Sequence, residues 1–170
     1  MTKAPGTRPP LVSHVSVGVT DLHRAGVFYD AVLAVVGARR IMEHGAGIGY
    51  GRAFPEFWAN VPRDNRSAPV AGVGAHVCLN ASDPDAVVAF HEAGLAAGGS
   101  SDGAPGPRPE YAPGYYAAFL RDPDGNKVEA MCWIAPSTAT GTGLSPSGSS
   151  PTAASAWRTR PWAWPRPSSA

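Results

Sequence analysis

Hydrophobic and polar side chains alternate in two short segments of the chain. The segments are HVSVGVTD, which starts at His14, and HVCLNASD, which starts at His76. A period of two predicts a β-strand with one apolar face and one more polar face. Both histidines fall on the polar face of their predicted strand.

A helix is predicted after each of these strands. Thr20-Asp21 and Ser82-Asp83-Pro84 are typical of helix N-termini. Apolar side chains then recur at helical spacing, at Ala25, Phe28, Tyr29, Val32, Leu33 and Val36 in the first copy and at Val87, Phe90 and Leu95 in the second. Gly98-Gly99 predicts the end of the second helix. The apolar faces of the helices can therefore cover the valine faces of the strands and leave the histidine faces open.

The two strand-helix units are copies of one sequence. Shifting the chain by 62 residues places His14 on His76, and it aligns seven further identical pairs up to Gly37 and Gly99. An ordered set of matches of this kind indicates an internal duplication.

Further strands are predicted at 39–43, 48–52 and 56–60 in the first copy and at 114–121 and 127–134 in the second. The sequence DPDGN at 122–126 predicts a tight hairpin between the last two strands. The segment 99–113 is rich in glycine and proline, so it is predicted to be an irregular loop with at most a short strand near its start.

Composition divides the chain into one domain and two flanking segments. Residues 1–11 are expected to be flexible, and residues 12–134 to form a single α+β domain, with module one at about 12–70 and module two at about 71–134. Residues 135–170 contain no acidic residue and show no hydrophobic period, so they are predicted to be a disordered tail rich in Pro, Ser and Ala.

Charge and cysteine content exclude several classes of function. The net charge is +1 and no block of like charge is present, which argues against nucleic-acid binding. Two cysteines are too few for a disulfide framework, and no apolar stretch is long enough for a membrane span. A cytoplasmic protein without nucleic-acid or membrane partners is therefore expected.

The segments HVSVGVTDLHRAGVFYDAVL, GAHVCLNASDPDAVVAFHEAGLAAGG and YYAAFLRDPDGNKVEAM resemble the vicinal-oxygen-chelate superfamily. That superfamily includes glyoxalase I, extradiol dioxygenases, fosfomycin-resistance proteins and bleomycin-binding proteins. The resemblance implies two tandem β-α-β-β-β modules that form an open eight-stranded cup. It also implies a small-molecule substrate.

The resemblance further implies a metal site formed by His14, His76 and Glu129, with Glu129 also a catalytic residue. Two imidazoles and one carboxylate form a set that leaves coordination positions open for a substrate. The ligand set implies one divalent ion and does not distinguish Fe, Mn, Zn and Ni. Glu56 could be a fourth ligand, but Trp58 competes with it for the ligand position on its strand.

Other polar and aromatic residues are candidates for contact with substrate. Strand alternation predicts that one of Tyr115 and Tyr116 faces the cup, and Tyr116 is chosen as the catalytic candidate. We expect the 99–113 segment to border the mouth of the cup and to cover bound substrate. Its residues Arg108 and Tyr111, together with Trp58, are candidates for substrate binding.

Two functions remain open at this point. The first is a metal-dependent enzyme that chelates a small oxygen-rich molecule and acts as a lyase, an isomerase or a ring-cleaving oxygenase. The second is a metal-free protein that sequesters a drug or another small molecule, as the bleomycin-binding relatives do. The oligomeric state is open as well, with a homodimer among the options.

Overall fold

The computed structural model describes residues 11–62, 72 and 74–134. The predicted tail and residues 1–10 of the predicted flexible N-terminus lie outside that part of the chain. The first module consists of β1 (Val15–Gly18), α1 (Leu22–Val35), β2 (Arg39–His44), β3 (Gly47–Gly51) and β4 (Phe57–Asn60). The second consists of β5 (His76–Asn80), α2 (Pro84–Ala96), β6 (Ser100–Pro107), β7 (Tyr115–Arg121) and β8 (Lys127–Trp133).

Each module forms a four-stranded sheet with the same topology. The strand orders are β1-β4-β3-β2 and β5-β8-β7-β6. The first strand of each module pairs in parallel with the last, and the other pairs are antiparallel. The predicted α+β fold of two β-α-β-β-β modules is confirmed, with its eight strands divided between two sheets.

Both helices begin where the sequence predicts. The side chain of Asp21 accepts a hydrogen bond from the backbone N–H of Arg24, and Asp83 does the same for Ala86. Proline follows the second cap, and α2 ends before Gly98, whose φ of 89° suits a residue without a side chain. Among the described residues, no helix is long and apolar enough to cross a membrane.

The hydrophobic core lies between the helices and the inner faces of the sheets. Phe28, Tyr29 and Val32 of α1 are fully buried, and so is Phe90 of α2 at the position equivalent to Phe28. One cluster of buried residues contains side chains from both modules. Full burial of such a side chain contributes roughly 1.5–3 kcal/mol, so the repeated apolar stripe stabilises both modules at once.

The prediction of an irregular loop at 99–113 is wrong for residues 100–107, which form β6. This strand pairs with β7 at the edge of its sheet and contains irregularities next to Gly103 and Gly106. Proline is tolerated in an edge strand because its missing N–H can face away from the sheet, and glycine suits a bulge. The local composition therefore did not indicate this strand, which is stabilised by its pairing with β7.

The DPDGN hairpin does more than turn the chain. The buried carboxylate of Asp122 accepts hydrogen bonds from Tyr29 Oη (2.7 Å) in α1 and from the Asn126 side chain (2.8 Å). Asn126 Nδ2 also donates to the carbonyl oxygen of Gly18 at 2.8 Å, and Asp124 forms an ion pair with Arg24 at 2.8 Å. The hairpin of module two thus holds the strand-helix junction of module one.

His91 of α2 is a structural residue at the position equivalent to Tyr29 of α1. It is 8% exposed, and its Nε2 lies 2.8 Å from the hydroxyl of Ser101 in β6. Burial lowers the pKa of His91 below its ordinary value of 6.5.

Stability should therefore decrease as the pH falls below about 6.5, because the unfolded chain then binds a proton more readily than the folded chain. We expect His91→Gln to reduce this decrease, measured by urea unfolding at about pH 7.5 and about pH 5.5. An identical decrease in the variant would assign the effect to other groups.

Candidate functional site

The sheet of the second module has two chemically different faces. Leu120, Val128 and Ala130 belong to the core that the helices cover. Because successive side chains of a strand point to opposite sides, the residues between them lie on the other face. We call this the cup face, and it includes His76, Cys78, Tyr115, Phe119, Lys127 and Glu129.

Glu129 lies in the middle of the cup face. It is 2% exposed, so its carboxylate must find polar partners within the protein. Tyr115 Oη donates a hydrogen bond to Glu129 Oε1 at 2.7 Å, and His76 Nε2 lies 3.0 Å from Oε2. His76 and Glu129 are therefore adjacent, as the metal hypothesis requires of these two residues.

The two neighbouring tyrosines of β7 face opposite sides, as predicted, but the choice of Tyr116 for the cup was wrong. Tyr116 packs in the cluster of Val87, Ala118 and Cys132 beneath α2. Tyr115 points into the cup instead, where burial and its hydrogen bond to Glu129 raise its pKa above the usual value.

His14 does not join the pair formed by His76 and Glu129. It is exposed and lies directly before β1, the edge strand of the other sheet. In the part of the chain that the structure describes, no three His, Cys, Asp or Glu side chains are close enough to hold one metal ion. The structure thus brings together two of the three predicted ligands.

Strand register places Trp58, and not Glu56, at the position equivalent to Glu129. Ser16 pairs with Trp58 in module one, and the equivalent Cys78 pairs with Glu129 in module two. Glu56 is exposed and accepts a hydrogen bond from the backbone N–H of Arg52 at 3.2 Å. The geometry therefore does not favour Glu56 as a fourth ligand. The Trp58 ring lies 5.5 Å from that of His44.

Cys78 lies beside the pair but is not activated as a nucleophile. Its sulfur is 3.7 Å from Tyr115 Oη. Desolvation of the thiol and the negative charge of Glu129 raise its pKa to about 12. The thiolate, which is the reactive form, is therefore scarce at neutral pH.

Arg108 and Tyr111 both lie at the border of the cup face. The Arg108 guanidinium carbon is 5.6 Å from the centre of the Phe119 ring. Tyr111 is 55% exposed, and its ring packs edge-on against Tyr115 at 5.5 Å. Both of these substrate-binding candidates are within reach of a molecule held near Glu129.

One crystal structure decides the family. It is that of a glyoxalase/bleomycin resistance protein from Albidiferax ferrireducens T118, which superposes with a TM-score of 0.64. The sequences are 35% identical, and the match covers 72% of this chain and 98% of that one. The chain belongs to the glyoxalase/bleomycin resistance protein family. This places it in the vicinal-oxygen-chelate superfamily that its sequence resembles.

More distant members show the same fold. A glyoxalase-related enzyme from Fulvimarina pelagi is 19% identical with a TM-score of 0.58, and the match covers 71% of this chain and 86% of that one. Lactoylglutathione lyase from Agrobacterium tumefaciens is 20% identical with a TM-score of 0.51, over 74% and 95% of the two chains. No family model and no curated protein sequence matches the chain.

In this candidate site, the sequence analysis left Tyr115 as one of two options and did not single out Lys127, although a signal for both was present. The hairpin pairs Arg121 with Lys127, and therefore Phe119 with Glu129. Counting back in steps of two from Phe119 places Tyr115 on the face of Glu129. The same count along β8 places Lys127 there as well.

Proposed function

We propose that this protein is a metal-dependent enzyme that binds a small oxygen-rich substrate through two of its oxygen atoms. The observation that supports this is the buried Glu129 carboxylate, held 3.0 Å from His76 on the cup face. An imidazole and a carboxylate at this separation suit an Fe, Mn, Zn or Ni ion. One ion would be held by His76 and Glu129, with His14 as the third ligand.

The separation of His14 from the pair suggests that the site is completed by a second copy of the chain. His14 and His76 occupy equivalent places, each exposed at the start of an edge strand. A symmetric dimer could place the cup side of module one of one copy against that of module two of the other. His14 of one copy would then complete each of two identical sites. We therefore propose a homodimer.

The surrounding residues have distinct tasks in this site. When bound, the metal would supply Lewis acidity toward two substrate oxygens. Tyr115 holds one oxygen of Glu129 and fixes the orientation of the carboxylate, as outer partners of metal ligands usually do. Phe119 and Met131, which are 6% and 5% exposed, keep the floor of the cup apolar.

Mixing two inactive variants tests the proposal. His14→Ala and His76→Ala should each lose most of the metal that the wild-type protein retains. After the two variants are unfolded together and refolded, mixed dimers would contain one intact site and one site that lacks both histidines. Metal content should then recover to about a quarter of the wild-type value, because random mixing makes half of the dimers mixed.

The outcomes separate the parts of the proposal. Full metal binding by the His76→Ala variant would contradict the metal site. Loss without recovery after mixing, while the protein exchanges subunits, would contradict the shared site and leave a site within one chain. Consumption of oxygen by the metal-loaded protein with a catechol substrate would favour a ring-cleaving oxygenase over a lyase or isomerase.

A metal-free binding protein is the second candidate, and the aromatic side chains of the cup favour it. Tyr115 packs edge-on against both Tyr111 and Trp133, at ring separations of 5.5 and 5.2 Å. Flat apolar ligands bind well to such rings. A ligand bound by this mechanism should bind equally well after His76→Ala, whereas a metal-chelated ligand should be lost.

A further inference from the structure

Two cations lie close to one aromatic ring on the cup face. Lys127 Nζ is 4.4 Å from the centre of the Phe119 ring, and the Arg108 guanidinium carbon is 5.6 Å from it. These distances are within the range of cation-π attraction. Phe119, which forms part of the floor of the cup, therefore attracts both positive charges to its ring.

Two glycines of β6 leave room for the Arg108 side chain and for the Phe119 ring. A Cβ atom at Gly106 would come within 3.2 Å of Arg108 Nη1, and one at Gly103 would come within 2.8 Å of Phe119 Cδ2. The guanidinium donates to the carbonyl oxygens of Pro107 (3.2 Å) and Ala104 (2.6 Å). Arg108 thus folds back along the strand, and the glycine content that suggested a loop has a positional role.

Arg108 has hydrogen-bonding capacity to spare. A guanidinium has five N–H donors, and the contacts described above use two of them. Within residues 11–62, 72 and 74–134, no carboxylate forms an ion pair with Arg108. Its positive charge is therefore held in place by neutral groups only.

The charge near Lys127 is only partly compensated. Asp102 lies 2.9 Å from Lys127 Nζ and 3.2 Å from an Arg121 guanidinium nitrogen, so one carboxylate serves two cations. Arg108, Lys127 and Arg121 together carry three positive charges around Phe119, and Asp102 and Glu129 carry two negative charges, which leaves an excess of one positive charge. One ammonium donor of Lys127 points to Asp102, which leaves two for another acceptor.

This positive region lies directly beside the pair formed by His76 and Glu129. Lys127 is the register partner of His76 on the neighbouring strand. The rings of His76 and Phe119 are 6.3 Å apart. A small molecule that reaches Glu129 with one end can therefore reach Lys127 and Arg108 with the other.

We propose that Arg108 and Lys127 form a subsite for an anionic group of the substrate, with Phe119 as its apolar floor. This rests on the proposed function, since the cup must first be the substrate site. The substrate is then a small acid whose carboxylate or phosphoryl-type group binds the two cations. Its remaining oxygens are directed toward His76 and Glu129. Charge-assisted hydrogen bonds to both cations would set specificity for anions.

Anion titrations of the metal-free protein test this subsite without reference to catalysis. Inorganic phosphate and acetate are added at constant ionic strength, and binding is followed by NMR shifts of the Phe119 and Lys127 backbone amides. Wild-type protein should show saturable shifts with at least one anion. Arg108→Met and Lys127→Met should each raise its Kd by about tenfold, since each removes a charge-assisted hydrogen bond.

Three further variants test whether anion binding depends on charge at position 127, on the position of Arg108, or on any positive charge of the protein. Lys127→Arg retains the charge and should retain binding. Gly106→Ala keeps every charge and brings a Cβ atom within 3.2 Å of Arg108 Nη1, so the guanidinium shifts slightly and the Kd should rise less than in Arg108→Met. Arg39→Met removes an exposed charge from the first module and should leave the Kd unchanged. Thermal unfolding of each variant shows whether a change in binding reflects a loss of the fold.

The anion titrations identify the class of anion and can overturn the subsite. Tighter binding of phosphate than of acetate would indicate a phosphoryl-type substrate. Binding of acetate at least as tight as that of phosphate would indicate a carboxylate. Absence of saturable shifts in the wild-type protein, or equal effects of Arg39→Met and Lys127→Met, would overturn the subsite. The anion titration contains no metal, so its result is independent of the metal test. Anion binding together with a negative metal test would refute the metal enzyme and retain the anion subsite.

Discussion

Replacing Asp122 with alanine is expected to lower the free energy of unfolding by about 3 kcal/mol. Asp122 is 4% exposed and accepts hydrogen bonds from Tyr29, from the backbone of Asp124, and from the backbone and side chain of Asn126. Alanine would leave these donors without their acceptor. It would also release the hairpin from α1. Urea unfolding of the metal-free protein measures the effect.

Two variants control for this prediction. Tyr29→Phe removes one donor but leaves Asp122 bonded to the hairpin, so it should cost about 1 kcal/mol. Glu110→Ala removes an exposed carboxylate and should change stability by less than about 0.5 kcal/mol. If Asp122→Ala were as stable as Glu110→Ala, the hairpin would be a turn and no more.

The second large effect is expected at the tyrosine that orients Glu129. Tyr115→Phe should weaken metal binding by about 10- to 100-fold, because it removes the hydrogen bond that holds one carboxylate oxygen. Glu129→Ala should reduce the affinity further, since a ligand itself is lost. Competition with a chromogenic chelator measures both affinities.

The neighbouring tyrosine provides a matched control. Tyr116→Phe is the same substitution one residue further along, but Tyr116 packs beneath α2. Its metal affinity should stay within about twofold of wild type, since no bond to a ligand changes. Equal losses in the two variants would mean that Tyr115 acts through the stability of β7 and not through Glu129.

The regular elements of this fold were predictable because their signals are local and repeated. The alternation that starts at His14 and at His76, the helix caps at Asp21 and Asp83, and the DPDGN turn each act over a few residues. The duplication repeated the strand alternation and the helix cap, so each copy supported the interpretation of the other. This is why the two-module architecture could be stated before any contact was known.

The prediction failed for β6 because this strand is stabilised by a distant segment and not by its own sequence. Residues 100–107 contain two glycines and two prolines, which by themselves favour a loop. Pairing with β7 overrides that preference, and an edge position tolerates the prolines. Composition alone cannot reveal a partner strand that lies further along the chain.

The sequence by itself therefore determined the two modules and the strand face on which His76 lies. Periodicity of side chains is sufficient for these features, because it is counted along one strand. The choice of His76 and Glu129 as members of the candidate site came from the family resemblance. Tertiary structure alone decided that His14 lies apart from the pair and that Arg108 folds back over Phe119. These features depend on how two sheets are placed in space and on the room that missing side chains leave. Neither is expressed in the spacing of residues along the chain.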